Sequence, residues 1–288
     1  MKRVLDCRFV EDVDVNNQQR YSLLKLKRII PASLWRAVSN TRYAVQRAAQ
    51  LPAATLHPLR RVSIRRLGEF KDIHRSQRCF IIGNGPSLKQ TDLSLLRNEF
   101  TFGMNRIYLV FPELGFITTY YLSVNNLVIE QCARDIHSLP MPKFVSWRSH
   151  NLIPPAEDLI YLHTTYTGPK FARDARGRLW EGATVTYVAL QLAFHMGFNQ
   201  IILIGVDHNF TTQGVPNTTI VSQGNDPDHF HANYFGKGFR WQLPDLETSE
   251  RGYRMAKDAY REAGREVLDA TVGGKLTIFP KVDFNSLF

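Results

Sequence analysis

Phe80-Ile-Ile-Gly-Asn-Gly-Pro-Ser-Leu88 is the stretch whose reading decides the fold. The apolar run Cys79–Ile82 stops at a glycine, the pattern of a short strand buried on both faces. A strand that runs into Gly83-Asn84-Gly85 exposes backbone N–H groups with no Cβ in the way, so the turn can approach an anion. Pro86 stiffens the turn and Ser87 adds a hydroxyl donor. The third glycine of a dinucleotide fingerprint and the Lys-Ser/Thr of a P-loop are both missing. The segment therefore reads either as a phosphate-binding turn of another type or as an ordinary tight turn.

Strand and helix patterns alternate downstream. Phe100–Gly103, Thr118–Ser123 and Lys143–Trp147 read as strands, and residues 148–178, richer in Pro, Gly and charge, as an irregular, lid-like insertion. Val185, Val188, Ala189, Leu192 and Met196 form the stripe of a core-facing helix that Gly197 closes. Gln200–Gly205 is the clearest buried strand. A second helix is expected over Glu247–Glu262 and a last strand over Lys275–Phe279. This order predicts an α/β fold for residues 77–288: an open, mostly parallel, Rossmann-like sheet with helices on both faces. Residues 1–76 read as a basic, partly helical N-terminal extension.

Charge separates the two regions. The 288-residue chain carries a formal +10. Residues 1–80 hold 17 Lys/Arg against 6 Asp/Glu, and the remainder holds 19 against 20. The α/β region is thus nearly neutral, which argues against nucleic acid as a partner. Tyr21–Ile30 and Leu34–Val38 mix apolar and basic residues at helical spacing, with Pro31, Pro52 and Pro58 as breaks. Such a segment suits peripheral contact with an anionic membrane surface, a solvated hairpin packed on the main domain, or a homo-oligomer contact. No apolar run reaches the length of a spanning helix. The charged first residues do not read as a secretory signal, so a cytoplasmic protein is expected. Cys7, Cys79 and Cys132 have no metal-ligand spacing, and Cys79 reads as a buried small hydrophobe.

Four further segments carry polar chemistry. Asn105, at the end of the second strand, presents an amide suited to a base, ribose or phosphate, or caps a helix. Glu181-Gly-Ala-Thr-Val-Thr186 begins the long helix; Thr184 and Thr186 read as N-cap residues or as neighbours of a ligand phosphate. Asp207, just past the buried strand, sits where such sheets keep their chemistry, and His208 beside it reads as exposed and idle. Asn225-Asp-Pro-Asp-His-Phe-His-Ala-Asn-Tyr-Phe-Gly-Lys237 holds His229 and His231, candidate general bases near neutral pH. Lys237 could neutralise a phosphate there. Tyr234 and Trp241 could wall a base or sugar ring, or belong to the core. No metal site is expected, since spacing places no third ligand.

Ile82–Leu88, Met104–Arg106, Gly182–Gly197 leading to Ile201–Asp207, and His229–Gly238 together resemble the DUF115 proteins related to the archaeal 6-hydroxymethylpterin pyrophosphokinase (MptE-like). More distantly they resemble the CMP-sialic acid-dependent sialyltransferases of glycosyltransferase family 42. The second resemblance implies that Gly83, Asn84, Gly85, Ser87 and Asn105 hold a CMP moiety, with Gly182 to Thr186 beside it. It also implies a metal-free histidine base. Lys237 stands where that base would fall and Asn209 where a tyrosine would, so the role passes to His229 or His231.

The resulting expectation is a glycosyltransferase of surface polysaccharide assembly. Its partners would be a nucleotide-sugar donor and a glycan or lipid-linked acceptor, with no cofactor, working in the cytoplasm or at the inner membrane. The alternative is pyrophosphokinase-like transfer from ATP with Mg²⁺ on Asp207 and Asp226 or Asp228. A third reading is a non-enzymatic nucleotide-binding scaffold.

Overall fold

The sheet is built outward from β1 (Arg78–Ile82), which pairs in parallel with β7 (Gln200–Ile204) on one side and β2 (Phe100–Met104) on the other. β3 (Tyr120–Ser123), β4 (Lys143–Ser146), β5 (Leu159–Thr165) and β6 (Arg178–Trp180) extend it beyond β2, and β10 (Glu266–Asp269) flanks β7, while β8 (Thr219–Val221) and β9 (Arg240–Gln242) form a separate antiparallel pair. The computed structural model describes residues 32–288, with side chains from 41 onward. Among these the eight strands run β10-β7-β1-β2-β3-β4-β5-β6, all parallel. The expected Rossmann-like α/β class is therefore correct. The amphipathic run Tyr21–Ile30 and Cys7 lie outside the described residues.

Two cores follow from the two-residue period of a strand. Ile81, Phe102, Leu122, Phe144 and Leu162 face helices α4 (Val185–Met196) and α5 (Leu246–Glu262). Phe80, Ile82, Tyr121, Val145 and Ile204 face α3 (Asn126–Ser138) and the loop after β7. α4 is buried on every side, with Thr184 as its N-cap and Gly197 ending it in the left-handed region at φ 93°. A Cβ at Gly197 would stand 2.9 Å from the Asp72 backbone, so glycine is needed there for space as well as for conformation.

The chain clusters into two compact units, residues 1–49 and 50–288. Helix α1 (Ala32–Leu56) runs through Pro52, although a break was expected there. Pro52 is exposed, so water can satisfy the carbonyl that loses its donor. Pro58 does begin a new helix, α2 (Pro58–Glu69), at its first turn. Residues 50–76, read from sequence as extension, are built into the second unit. Ser63 Oγ accepts Tyr161 N at 3.0 Å, and the buried Arg60 guanidinium donates to the carbonyls of Ala54, Tyr161 and Arg176. Burial pushes the Arg60 pKa down to about 10.

Two other segments differ from expectation. Residues 148–178 are no lid: they contain β5, buried along its whole length. Its polar neighbours Asp158 and Arg176 gave the stretch a loop-like composition, while Leu159–Leu162 supply the core. The last sheet strand is Glu266–Asp269, not Lys275–Phe279. Leu276 and Phe279 are buried without ladder pairing, packed in the α4/α5 core, so their apolar pattern reports packing rather than a strand.

From β1 the chain proceeds to β2 through β6 on one side and returns to β7 on the other. The strand order therefore switches at β1, and the turns after β1 and β7 meet at the strands' carboxyl ends, the edge at which such sheets hold their ligand crevice.

Candidate functional site

The turn after β1 is closed by the turn after β7. Gly83 N donates to Ile204 O at 2.7 Å and Gly85 N to Gly205 O at 2.9 Å. Ser87 donates twice to Asp207, from its backbone N at 3.1 Å and its hydroxyl at 2.7 Å. An internal carboxylate thus occupies the anion position of the turn. A Cβ on Gly83 would overlap the Gly205 carbonyl, and one on Gly85 the Asp207 carboxylate, so both glycines serve this close approach. Pro86 opens the short 3₁₀ turn Pro86–Gln90. Burial pushes the Asp207 carboxyl up, against the lowering effect of the Ser87 bonds.

Asn84 ties this turn to the histidine loop: its carbonyl accepts Phe230 N at 2.9 Å, while its side-chain Oδ1 is buried with no partner among the described residues. In that loop His229 Nδ1 lies 2.8 Å from Asp226 Oδ2, and the ring stacks on Tyr234 with centroids 4.0 Å apart and planes 5° from parallel. A carboxylate only accepts, so Nδ1 carries a proton, and in the neutral ring Nε2 keeps the lone pair. His231 is set the other way. Its Nδ1 accepts Asn233 N at 3.1 Å, which in the neutral ring puts the proton on Nε2. The loop's own anchor is the buried Asp228, which accepts the backbone N–H groups and hydroxyls of Thr211 and Thr212.

Those four donors, set against the cost of burial, hold the Asp228 carboxyl below its usual range. Its folded pKa is lower than its unfolded one, so its stabilisation is present above the ordinary carboxylate value of about 4 and is lost as pH falls through the folded pKa. Asp228→Ala should lower stability by about 3 kcal/mol at neutral pH, since buried donors are left unsatisfied. The loss relative to wild type in thermal melts should shrink in acid; equal melting points at neutral pH would remove this role.

Asn105 and Arg106 join the same cluster from the end of β2. Asn105 adopts φ 51°, and its Oδ1 accepts the Ser123 hydroxyl at 3.0 Å, leaving the amide nitrogen to face outward bonding. Arg106 donates to the carbonyls of Asn233 and Tyr234, and its backbone N reaches the Tyr234 hydroxyl at 3.4 Å. Tyr234 and Trp241 are core residues, 1% and 9% exposed, so neither offers a ring to a ligand. Tyr234 instead supports His229. Lys237 is exposed, with its backbone against Gly224.

The start of α4 follows β6 at the same carboxyl edge of the sheet. Gly182 and Ala183 both have positive φ, and the Thr184 hydroxyl caps Thr186 N at 3.3 Å and lies 3.4 Å from the Tyr253 hydroxyl. The buried Thr186 belongs to that cap rather than to the open crevice. His208 is not idle. Only 9% of its side chain is exposed, Nε2 lies 3.2 Å from Glu250 Oε1, and its ring is 6.3 Å from Tyr253. That hydrogen bond holds the Glu250 carboxyl below its usual range. Glu250 had no signal in the sequence, because it becomes a partner only when α5 crosses the end of β7.

Asp207, Asp226 and Asp228, the carboxylates a bound Mg²⁺ would use, are each engaged by chain donors: Ser87, then His229 with Phe235 N, then the two threonines. Among the described residues no three metal-ligating side chains form a group. No helix described is long and apolar enough to cross a membrane.

Comparison with known proteins adds three findings. No curated protein matches the chain. A MAf glycosyltransferase from Magnetospirillum magneticum AMB-1 is similar over 84% of this chain at 17% identity, with a TM-score of 0.49. This chain spans 41% of that protein's length. The family model described as 6-hydroxymethylpterin diphosphokinase MptE-like matches residues 55–213, from the end of α1 through β7 and the turn after it. That is more than half of the chain, and the protein belongs to the MptE-like family.

Proposed function

We propose that the protein is a transferase that moves a glycosyl group from a nucleotide-activated, CMP-type donor to a hydroxyl acceptor, with His229 as the base. The Asp226–His229 pair carries this reading. Asp226 fixes the tautomer, Tyr234 fixes the ring plane, and Nε2 is left to take the acceptor proton. The acceptor oxygen then bonds to the anomeric carbon as the bond to the donor phosphate breaks, and the nucleotide leaves with the electron pair. Ser87 has already given its donors to Asp207, so the phosphate is better received by the N–H groups of Gly182 and Ala183 at the positive end of α4. In this reading Asn84, Asn105 and the remaining lone pairs of Asp207 bond hydroxyls of the donor. Glycan or lipid-linked acceptors, and membrane contact through the basic N-terminal segment, belong to the same proposal.

The family description supports a second reading, diphosphate transfer from ATP. That reaction needs a divalent cation between the phosphates, and each of the three candidate carboxylates already accepts donors from the chain. A thermal-shift panel of CMP, CDP, UDP, GDP and ATP, each with and without Mg²⁺, separates the readings. The glycosyl-transfer reading expects stabilisation by CMP without metal. Stabilisation by ATP alone, and only with Mg²⁺, would replace it with the second.

A further inference from the structure

The rim of the crevice beyond α4 holds one aromatic ring that the fold does not use. Among the described residues the exposed large aromatics are Tyr43, Tyr166 and Phe288, and Tyr166 is the most open at 59%. It directly follows β5, at the carboxyl edge where the crevice lies. One face of its ring is covered: the Arg148 guanidinium carbon sits 3.9 Å from the ring centroid. Arg148 is in turn held by the buried Glu181 carboxylate at 2.5 Å and by the Thr164 carbonyl at 3.0 Å, and its Nε has no partner among the described residues. The Tyr166 carbonyl accepts Trp180 Nε1 at 3.0 Å, which fixes the backbone beneath the ring.

Enclosing an Arg–Glu pair costs desolvation that its mutual attraction barely offsets. Here the pair braces a solvent-facing ring rather than a core contact. A cation on one face and open space on the other make a rigid stacking platform, since the side chain loses little further freedom when a ring settles on it. The platform also adjoins the helix start. Glu181 grips Arg148, Gly182 follows it, and Thr184 N donates to the Glu181 carbonyl at 3.1 Å.

We propose that Tyr166, braced by Arg148 and Glu181, is the stacking platform for the nucleobase of the bound nucleotide. This rests on the nucleotide-donor reading above and assigns that site's base-binding wall, the part that Tyr234 and Trp241 cannot supply from the core. A base on Tyr166 leaves its phosphate beside Gly182–Thr184 and the transferred group toward Asn84 and His229.

Dissociation constants of CMP, UMP, GMP, AMP and ribose 5-phosphate, measured by calorimetry on the full chain, test the assignment. Tyr166→Ala should weaken the tightest-binding nucleotide about 5- to 150-fold, the range of base–aromatic stacking. Ribose 5-phosphate, which has no base, should bind wild type and variant alike, and Tyr166→Phe should bind as wild type. Equal losses for the nucleotide and ribose 5-phosphate would make Tyr166 a structural residue and overturn the platform. Unchanged nucleotide affinity in Tyr166→Ala would overturn the platform while leaving the donor reading intact. A wild-type protein that binds none of the four nucleotides overturns both.

Discussion

Replacing His229 with alanine should lower kcat for transfer by about 10²- to 10⁴-fold, the usual contribution of a positioned general base. Nucleotide affinity should hardly change, because the ring contacts Asp226 and Tyr234 rather than the helix start. Alanine also removes a stacked ring from the loop, so His229→Gln serves as the second variant: it keeps bulk and polarity but cannot accept a proton. Asp226→Asn should give a loss of similar order, since an amide can donate to Nδ1 and stabilise the tautomer with no free lone pair on Nε2. His231→Ala should retain most activity, because its Nδ1 is already engaged by Asn233 N. The readout is nucleotide release from the sugar donor whose nucleotide gives the largest thermal shift. Full activity in both His229 variants, or loss in His231→Ala alone, would transfer the role away from His229.

The second large effect belongs to Gly85. Its position was read from sequence as an open approach for a ligand phosphate, but the structure gives the glycine a different task. The space a Cβ would need is filled by the Asp207 carboxylate. Gly85→Val should force Asp207 off Ser87, breaking two hydrogen bonds to a half-buried carboxylate and overpacking the junction of two turns. A loss of about 3 kcal/mol is expected, which for a domain of this size lowers the melting temperature by about 6–12 °C. Nucleotide affinity should fall with it, since Asn84 and Asp207 move together. Gly85→Ala carries the same Cβ and should show the same direction. A variant with wild-type melting temperature and affinity would falsify the closed-turn account.

Ser87 illustrates how far local sequence reaches. Strand, Gly-x-Gly and serine correctly announced a turn rich in hydrogen-bond donors, because those properties depend on neighbours in the chain. The identity of the acceptor did not, since Asp207 lies 120 positions away and meets Ser87 only because β7 pairs with β1. The same distinction separates the two histidines. As residues 229 and 231 they were equivalent candidates on one loop. Their difference is which ring nitrogen is occupied, and that is set by how the loop folds back on itself.

The sequence by itself determined the α/β class, the central strands β1, β2 and β7, and the helix over Val185–Met196 with its closing glycine. Each rests on periodicity, glycine conformation or capping, all of which act within a few residues. Only the tertiary structure decided that the anion position of the turn is filled from within, that His208 meets Glu250, and that Tyr234 is core while Tyr166 is open. It also showed that residues 148–178 contain a buried strand. These are contacts between elements far apart in the chain, created by the switch of strand order around β1, and no local pattern records them.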